Sequence, residues 1–275
     1  MRPSKALGSA PLALGLLCLV SVTSSALAQR TRGEWRMSCR DHEDDDWGET
    51  YCDIKEQTLR PGAGPIRVDA HPNGGVAVVG WDKNEILLRS KITAHARTEE
   101  DARVLADEVR IQVSGNTISA DGPSTHRRQW WSVSFELRVP NHSDLAVRAQ
   151  NGGIEVEAVR GEMDLETVNG GLTLKAVAGD VRAETTNGGV NVDLEGERWD
   201  GRGLDIRTTN GGVRLWVPER YSATLETGTV NGGLEVEFPV RVQGRLTRRI
   251  STQLGDGGPT IRALTTNGGV VVRRR

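Results

Sequence analysis

Apolar and polar residues alternate with a period of two through most of the chain after residue 65. This alternation predicts strands with one buried and one exposed face. It is clearest around the tripeptide Asn-Gly-Gly, whose last six copies have an apolar residue six positions before the Asn and apolar residues three and five positions after it. In five of these six copies, Thr stands two positions before the Asn. The tripeptide begins at Asn73, Asn151, Asn169, Asn187, Asn210, Asn231 and Asn267.

The tripeptide predicts a structural turn, because Asn and Gly both tolerate the left-handed backbone conformation. Two strand pairings fit such a turn. In an antiparallel β-meander, Asn-Gly reverses the chain and pairs its flanking strands. In a parallel β-solenoid it is a corner, and each strand pairs with its counterpart one coil later.

The spacing of the tripeptides favours the solenoid. From Asn151 onward, the step is eighteen residues twice and then twenty-three, twenty-one and thirty-six. Stacked coils would place Asn over Asn and Thr over Thr, where ladders of hydrogen bonds can form. A second corner is expected half a coil later, at Arg160-Gly161 and Ala178-Gly179. We therefore predict an all-β fold built as a single parallel β-solenoid, with the antiparallel β-meander as the alternative.

One short helix is predicted to interrupt the strands. Thr98 can cap its first turn, which carries three acidic residues over 99–101. Ala102, Leu105, Ala106 and Val109 would form one apolar face.

The N-terminus predicts export. Residues 1–28 combine a basic start, a short apolar stretch and a small-residue cleavage site at Ala26-Leu27-Ala28, as a secretory signal peptide does. Cys18 follows Leu17, where a lipoprotein signal would have a small residue, so no lipid anchor is expected. We expect three parts: the signal peptide 1–28, an acidic segment 29–64 with a disulfide, and the repeat domain 65–275. The mature chain should have no transmembrane segment and reside in the periplasm, at the cell surface or outside the cell.

The mature chain would keep two cysteines, Cys39 and Cys52, and in an oxidising compartment such a pair is most simply a disulfide. Between them lies an acidic stretch from Asp41 to Glu49. Clustered carboxylates can hold Ca²⁺, but this stretch lacks the spacing of a known calcium loop. A solvated acidic loop is favoured and calcium binding stays open.

Composition narrows the classes of function. The 33 Gly and 4% aromatic residues suit a thin, aliphatic interior with many turns. The net charge of −2 argues against a broad nucleic-acid surface, which needs an excess of Lys and Arg. No histidine lies at ligand spacing from either cysteine, so no metal site is expected. No cofactor is expected either, because Gly201-Arg202-Gly203 lacks the third Gly and the βαβ setting of a dinucleotide fold.

Two pairs of carboxylates are the strongest candidates for catalysis. Glu155 with Glu157, and Glu235 with Glu237, have a separation that suits glycoside cleavage. The other copies place unrelated residues at these offsets, which favours outward, solubilising charge.

Two tryptophans are candidates for binding. The alternation places Trp131 in the core and turns Trp130 and Trp216 outward. An exposed Trp can stack on a sugar ring or fill a pocket of a protein partner, although a neighbouring loop can also cover it.

The order of the elements adds a resemblance. The chain first has a helix of Thr-Glu-Glu-Asp-Ala-Arg type and then strands, the last of which ends at Val139-Pro140. The repeats follow, introduced by Leu145-Ala146-Val147-Arg148. Over residues 65–275 this resembles the exported bacterial β-strand-repeat domains described as putative adhesins of otherwise unknown function. The resemblance implies a parallel solenoid-like fold, an extracytoplasmic location and no established catalytic activity. Many relatives have Gly-Asp where this chain has Gly-Gly, so no role of that Asp carries over.

These observations favour a non-enzymatic binding or scaffold module of the bacterial envelope, with an unknown glycan or protein as partner. A polysaccharide-active β-helix enzyme is the main alternative, and a partner in envelope-stress signalling is another.

If residues 1–28 are a signal peptide, the exported protein should begin at Gln29. The intact mass of the exported protein measures this directly. A mass that retains residues 1–28, or a lipid mass on Cys18, would contradict the prediction.

Overall fold

The computed structural model describes residues 37–39, 48–126, 128–238 and 248–275. Over these residues the chain is all-β with one helix, α1 (Glu99–Glu108). The first ten strands are β1 (Glu49–Leu59), β2 (Ile66–Asp69), β3 (Val76–Trp81), β4 (Ile86–Ala96), β5 (Arg110–Ser114), β6 (Thr117–Asp121), β7 (Trp130–Pro140), β8 (Leu145–Asn151), β9 (Ile154–Glu157) and β10 (Arg160–Asn169). The next ten are β11 (Leu172–Lys175), β12 (Ala178–Asn187), β13 (Val190–Asp193), β14 (Gly203–Asn210), β15 (Val213–Val217), β16 (Ala223–Asn231), β17 (Leu234–Val236), β18 (Arg249–Leu254), β19 (Thr260–Asn267) and β20 (Val270–Arg274).

The strands form two ten-stranded sheets. Sheet 1 has the order β1-β4-β7-β3-β9-β11-β13-β15-β20-β17, and sheet 2 has the order β18-β16-β19-β14-β12-β10-β8-β2-β6-β5. The two strands that flank a tripeptide, such as β8 and β9, lie in different sheets. Each tripeptide therefore carries the chain from sheet 2 to sheet 1.

The repeat strands pair in parallel, with like residues side by side. Asn169 of β10 lies beside Asn187 of β12, and Leu172 of β11 lies beside Val190 of β13. The predicted parallel pairing is confirmed for these strands. The antiparallel meander is wrong for them, because strands joined by Asn-Gly-Gly do not pair with each other.

Two features depart from a simple run of parallel coils. The pairs β1–β4, β4–β7, β5–β6 and β16–β18 are antiparallel. In addition, β19 and β20 lie between the strands of the two preceding repeats, so that Asn267 is adjacent to both Asn210 and Asn231. The long step of thirty-six residues before Asn267 provides the extra strand, β18, that turns the chain back.

The inward side chains of both sheets form one hydrophobic cluster, in which Leu165 from sheet 2 and Leu174 from sheet 1 are both fully buried. Most members are aliphatic, and Phe135, Trp131, Trp199 and Tyr221 are the aromatic exceptions. Burying one such aliphatic side chain contributes about 1.5–3 kcal/mol, so the alternation supplies much of the driving force for folding. Trp131 lies in the core, as predicted.

The asparagines of the tripeptides form a continuous ladder of amides. From Asn151 onward, each side chain donates from Nδ2 to the Oδ1 of an adjacent Asn, at 2.8–2.9 Å. The ladder follows spatial order, with Asn267 between Asn210 and Asn231. All described amides donate in the same sense, toward Asn73. The Asn ladder predicted from the repeat is confirmed.

Gly74 and Gly268 have positive φ, 145° and 152°, as predicted, but in the other copies the reason for the first glycine is different. Gly152, Gly170 and Gly188 do not adopt the left-handed conformation, and neither do the asparagines before them. Instead, the backbones of adjacent turns approach closely: a Cβ on Gly170 would lie 2.1 Å from the carbonyl oxygen of Gly152. No side chain fits at that distance, so it is close stacking that requires Gly.

The threonines two positions before the Asn reinforce the same contact. The hydroxyl of Thr185 donates to the carbonyl oxygen of Gly170 at 2.8 Å, and Thr167 does the same to Gly152. Thr stacks over Thr in register, as predicted, but the hydroxyls bond the backbone of the adjacent turn and not one another. Each buried Thr thereby joins two successive coils.

The second corner lies two residues earlier than predicted. Ala158 and Ala176 adopt the left-handed conformation, with φ of 57° and 51°, while Arg160 and Ala178 already begin strands. Gly161 and Gly179, at which the corner was predicted, also have positive φ, 157° and 112°. Ala carries a steric cost in the left-handed conformation. Tertiary packing outweighs that cost here.

The helix is confirmed. α1 begins after Thr98, whose Oγ1 accepts a hydrogen bond from the backbone N–H of Asp101. Ala102, Leu105 and Ala106 are buried, as the apolar face requires.

Which side chains of a strand face inward can be tested by introducing the same residue, Asp, at each of two adjacent positions in turn. Val192 is fully buried, and Val192→Asp should cost about 3 kcal/mol or more because it buries an unpaired carboxylate. Asn191→Asp adds the same carboxylate on the exposed face and should change the free energy of unfolding by about 0.5 kcal/mol or less. Urea unfolding followed by circular dichroism compares the two. Equal losses would show that the phase is wrong.

The Thr contact is testable in the same way. Thr185→Val keeps the volume but removes the donor to Gly170, and should lower stability by about 1 kcal/mol. Thr186→Val, on the exposed neighbouring position, is the matched control and should be nearly neutral. The melting temperatures of both variants, measured by thermal unfolding, compare these two effects. If the two variants have the same stability, the hydroxyl does not hold the coils together.

Candidate binding surfaces

The outer face of sheet 1 presents two rows of side chains that run across the strands. The first row is Glu155, Thr173, Asn191, Arg214 and Val271, and the second is Glu157, Lys175, Asp193, Trp216 and Arg273. Neighbours in a row are one strand apart, about 4.8 Å, and the two rows are two residues apart along each strand. The parallel register thus places these side chains in a regular array across the sheet.

Trp216 lies in this array and is 38% exposed. Its row neighbours are engaged elsewhere: Asp193 pairs with Arg275, and Arg273 faces Glu235 at 3.6 Å. Among the described residues, no ring or cation stacks on the Trp216 indole. Trp216 therefore presents ring surface to solvent, as the alternation predicted.

Arg214 precedes Trp216 on the same exposed face of β15. No described carboxylate or carbonyl oxygen contacts its side chain. Asn191, its neighbour on β13, is also exposed. Sequence reasoning did not single out Arg214, although the alternation that exposes Trp216 also exposes the residue two positions before it.

Trp130 has a different environment. It is 43% exposed, but one face of its indole stacks on His95, with ring centroids 5.6 Å apart and the planes 7° from parallel. His95 is buried and its Nδ1 lies 3.1 Å from the hydroxyl of Thr50. The outward position of Trp130 agrees with the alternation, and one face of the ring already has a partner within the chain.

The predicted carboxylate pairs take part in ion pairs. Glu155 lies 2.8 Å from the ammonium of Lys175. Glu235 and Glu237 both face Arg273, at 3.6 and 3.9 Å. These contacts agree with surface charge that is balanced across adjacent strands.

A depression of about 570 Å³ lies on sheet 1 near the first coils. Hydroxyl side chains, including Ser132, Ser134 and Thr173, line it beside Lys91 and Glu155. Met37 lies at this surface, where its backbone N–H donates to the buried Glu136. The role of Glu136 as an acceptor for the N-terminal segment was not visible in the sequence, because its position reads as an ordinary outward one.

The outer face of sheet 2 carries a network of opposite charges. Arg262 lies 2.8 Å from Glu226 and 3.3 Å from Asp205, which also pairs with Arg207. The hydrogen bond and charge of Glu226, with the charge of Asp205, raise the pKa of the Arg262 guanidinium. An open depression of about 470 Å³ lies over this network. Since these residues sit on adjacent strands, the pairs support the parallel register.

Cys39 and Cys52 form a disulfide, with the Cα atoms 5.7 Å apart. In the chain-entropy model, closing a loop of this length contributes about 3 kcal/mol. The acidic stretch from Asp41 to Glu49 lies largely outside the described residues. Within the described ranges, no group of three or more His, Cys, Asp or Glu side chains is arranged to hold a metal ion.

No helix within the described part of the chain has the length and apolar character needed to cross a membrane.

Three solved structures are similar to this chain at low identity. A "putative cell adhesion protein" from Clostridium sporogenes is 11% identical, with a TM-score of 0.45, over 82% of this chain and 100% of that one. A "putative adhesin" from Parabacteroides distasonis is 10% identical, with a TM-score of 0.39, over 77% and 97%. A "putative lipid binding protein" from the same organism is 11% identical, with a TM-score of 0.32, over 81% and 96%. No curated protein matches the sequence.

A family model matches residues 140–273, and its description is Toastrack DUF4097. The matched segment contains the last six tripeptides and the strands from β8 to β19 with most of β20. The resemblance stated from the sequence is confirmed over this segment. Over residues 140–273 the chain is therefore similar to the Toastrack family DUF4097.

Proposed function

We propose that this protein is a non-enzymatic binding module of the bacterial envelope, built as a β-solenoid-like scaffold that presents side chains from its outer faces. The observation that carries the proposal is Trp216, an exposed indole on a regular array of strands with no described ring or cation against it. Trp is enriched at recognition surfaces because its ring is apolar and carries a donor.

The scaffold supports this proposal by its rigidity. The amide ladder and the Thr contacts join successive coils from both sides of each turn. A surface whose backbone is fixed loses little entropy when it binds a partner. Outward side chains can therefore contribute to affinity without a folding cost at the moment of binding.

The location belongs to the same proposal. Residues 1–28 would direct export, residues 29–64 would form an acidic segment held by the disulfide, and residues 65–275 would be the binding domain. The disulfide between Cys39 and Cys52 supports an oxidising compartment. We place the protein in the periplasm, at the cell surface or outside the cell.

The ion pairs of the glutamates favour binding over catalysis. Glycoside cleavage needs two carboxyl groups that are free to act on the sugar. Glu155 is instead paired with the ammonium of Lys175 at 2.8 Å, as a surface charge balanced across adjacent strands would be.

Site-specific crosslinking in the native envelope tests the proposal. A photoreactive residue at position 191, beside the strand of Trp216, should capture an envelope glycan or protein. The same residue at position 166, on the outer face of sheet 2, is the positional control. Trp216→Ala should abolish capture from position 191, and Trp130→Ala should weaken capture of a partner that spans both rings.

Val104→Ala controls for the loss of an exposed apolar side chain, because Val104 is exposed on α1. It should leave capture unchanged, and all three variants should keep the melting temperature of the parent. Equal capture from the parent and from Trp216→Ala would contradict the proposal. Turnover of a polysaccharide by the purified protein, lost in Glu155→Gln, would establish the enzyme instead.

A further inference from the structure

Around Trp216, on the outer face of sheet 1, one cation has no acidic partner among the described residues. Lys175 is neutralised by Glu155, Asp193 by Arg275, and Arg273 by Glu235 and Glu237. Arg214 lies among them with no described acidic partner. The chain as a whole has a net charge of −2, so this single cation is a local feature and not part of a basic surface.

We infer that Trp216 and Arg214 form a subsite for a pyranose that carries a carboxylate, such as a uronic acid. The inference rests on the proposed function, and it names the chemical class of the ligand. The indole of Trp216 would stack on the apolar face of the sugar ring. The guanidinium of Arg214 would hold the carboxylate, since its planar fork matches a carboxylate with two parallel hydrogen bonds.

The positions of the two side chains suit one monosaccharide. They are two residues apart on one strand, about 6.7 Å along β15, and point to the same side of the sheet. Asn191 lies beside Arg214 on the next strand and offers an amide to a ring hydroxyl. Asp193, beside Trp216, stays neutralised by Arg275 and does not repel the ligand's carboxylate as a free charge would.

The surroundings also argue against a larger polyanion. A nucleic acid or a heavily sulfated chain would meet Asp193, Glu235 and Glu237 within the same few strands. The arginines beside these carboxylates are already paired with them, so a polyanion would find only one cation here without a described partner. A sugar with one carboxylate per ring and hydroxyls elsewhere matches this surface, where Arg214 has no described acidic partner and the neighbouring charges are paired.

Binding of defined oligosaccharides to the purified mature chain tests the inference by calorimetry. The probes are trigalacturonate and its methyl ester, which keeps the rings but removes the charge. Trigalacturonate should bind, and Arg214→Gln should weaken it by about tenfold or more. The methyl ester should also bind the parent protein weakly. Its affinity should be no higher than the affinity of trigalacturonate for the Arg214→Gln variant.

Arg67→Gln is the matched control, because Arg67 is an exposed strand arginine of sheet 2 that also lacks a described ion pair. It should bind trigalacturonate like the parent. Trp216→Ala should abolish binding of both probes. Circular dichroism and thermal unfolding should confirm that all variants fold.

The outcomes separate this inference from the proposed function. If neither probe binds, or if Arg214→Gln binds like the parent, the acidic-sugar subsite is wrong. The binding module would still stand if Trp216→Ala abolished crosslinking in the envelope. If Trp216→Ala changes neither measurement, both proposals fail.

Discussion

The close approach of one turn to the next is the constraint on which this structure depends. At Gly170, a single added carbon would lie 2.1 Å from the carbonyl oxygen of Gly152, and the same holds one coil later at Gly188. The turns can stack this closely only where Gly occupies the position. Once they do, the amides of Asn169 and Asn187 come within hydrogen-bond distance, and Thr185 can reach the backbone below.

These contacts lie at the turns that join the two sheets, and they therefore fix the strand register of both sheets. A slip of one residue would turn every inward side chain outward, and it would also break the amide ladder. The ladder therefore adds specificity to a pairing that the aliphatic core stabilises in bulk. It also explains why the coil with Asn267 can lie between two coils that precede it in sequence: the turn chemistry is the same in every coil, and any two of them can stack.

Much of the fold follows from the sequence because its strongest signals are local. Alternation gives the buried face, as Val192 and Leu165 show, and the Thr98 cap gives the start of the helix. The order of the last coils was not predictable, because it depends on where the chain turns back at β18. The corner at Ala158 was missed for another reason: Ala gives no signal for a left-handed residue, and only its packed surroundings impose that conformation.

The candidate site was partly predictable on the same grounds. Alternation turned Trp216 outward, and that position is observed. It does not reveal which charges are paired, since pairing depends on the residue one strand away. Lys175 is twenty residues from its partner Glu155, and Arg275 is eighty-two from Asp193. That Arg214 has no acidic partner among the described residues becomes visible only when both neighbouring strands are known.

Fold and outer surface are energetically separate in this architecture. The inward positions and the turns hold the coils together, while ion pairs exposed to water contribute about 0–1 kcal/mol each. Outward residues such as Arg214 can therefore differ from coil to coil without loss of the fold. Electrostatic catalysis is strongest where water is excluded, whereas the outward residues of the two rows on sheet 1 are half-buried or exposed. A rigid scaffold with variable outward rows is suited to recognition, in which contact across a plane is enough.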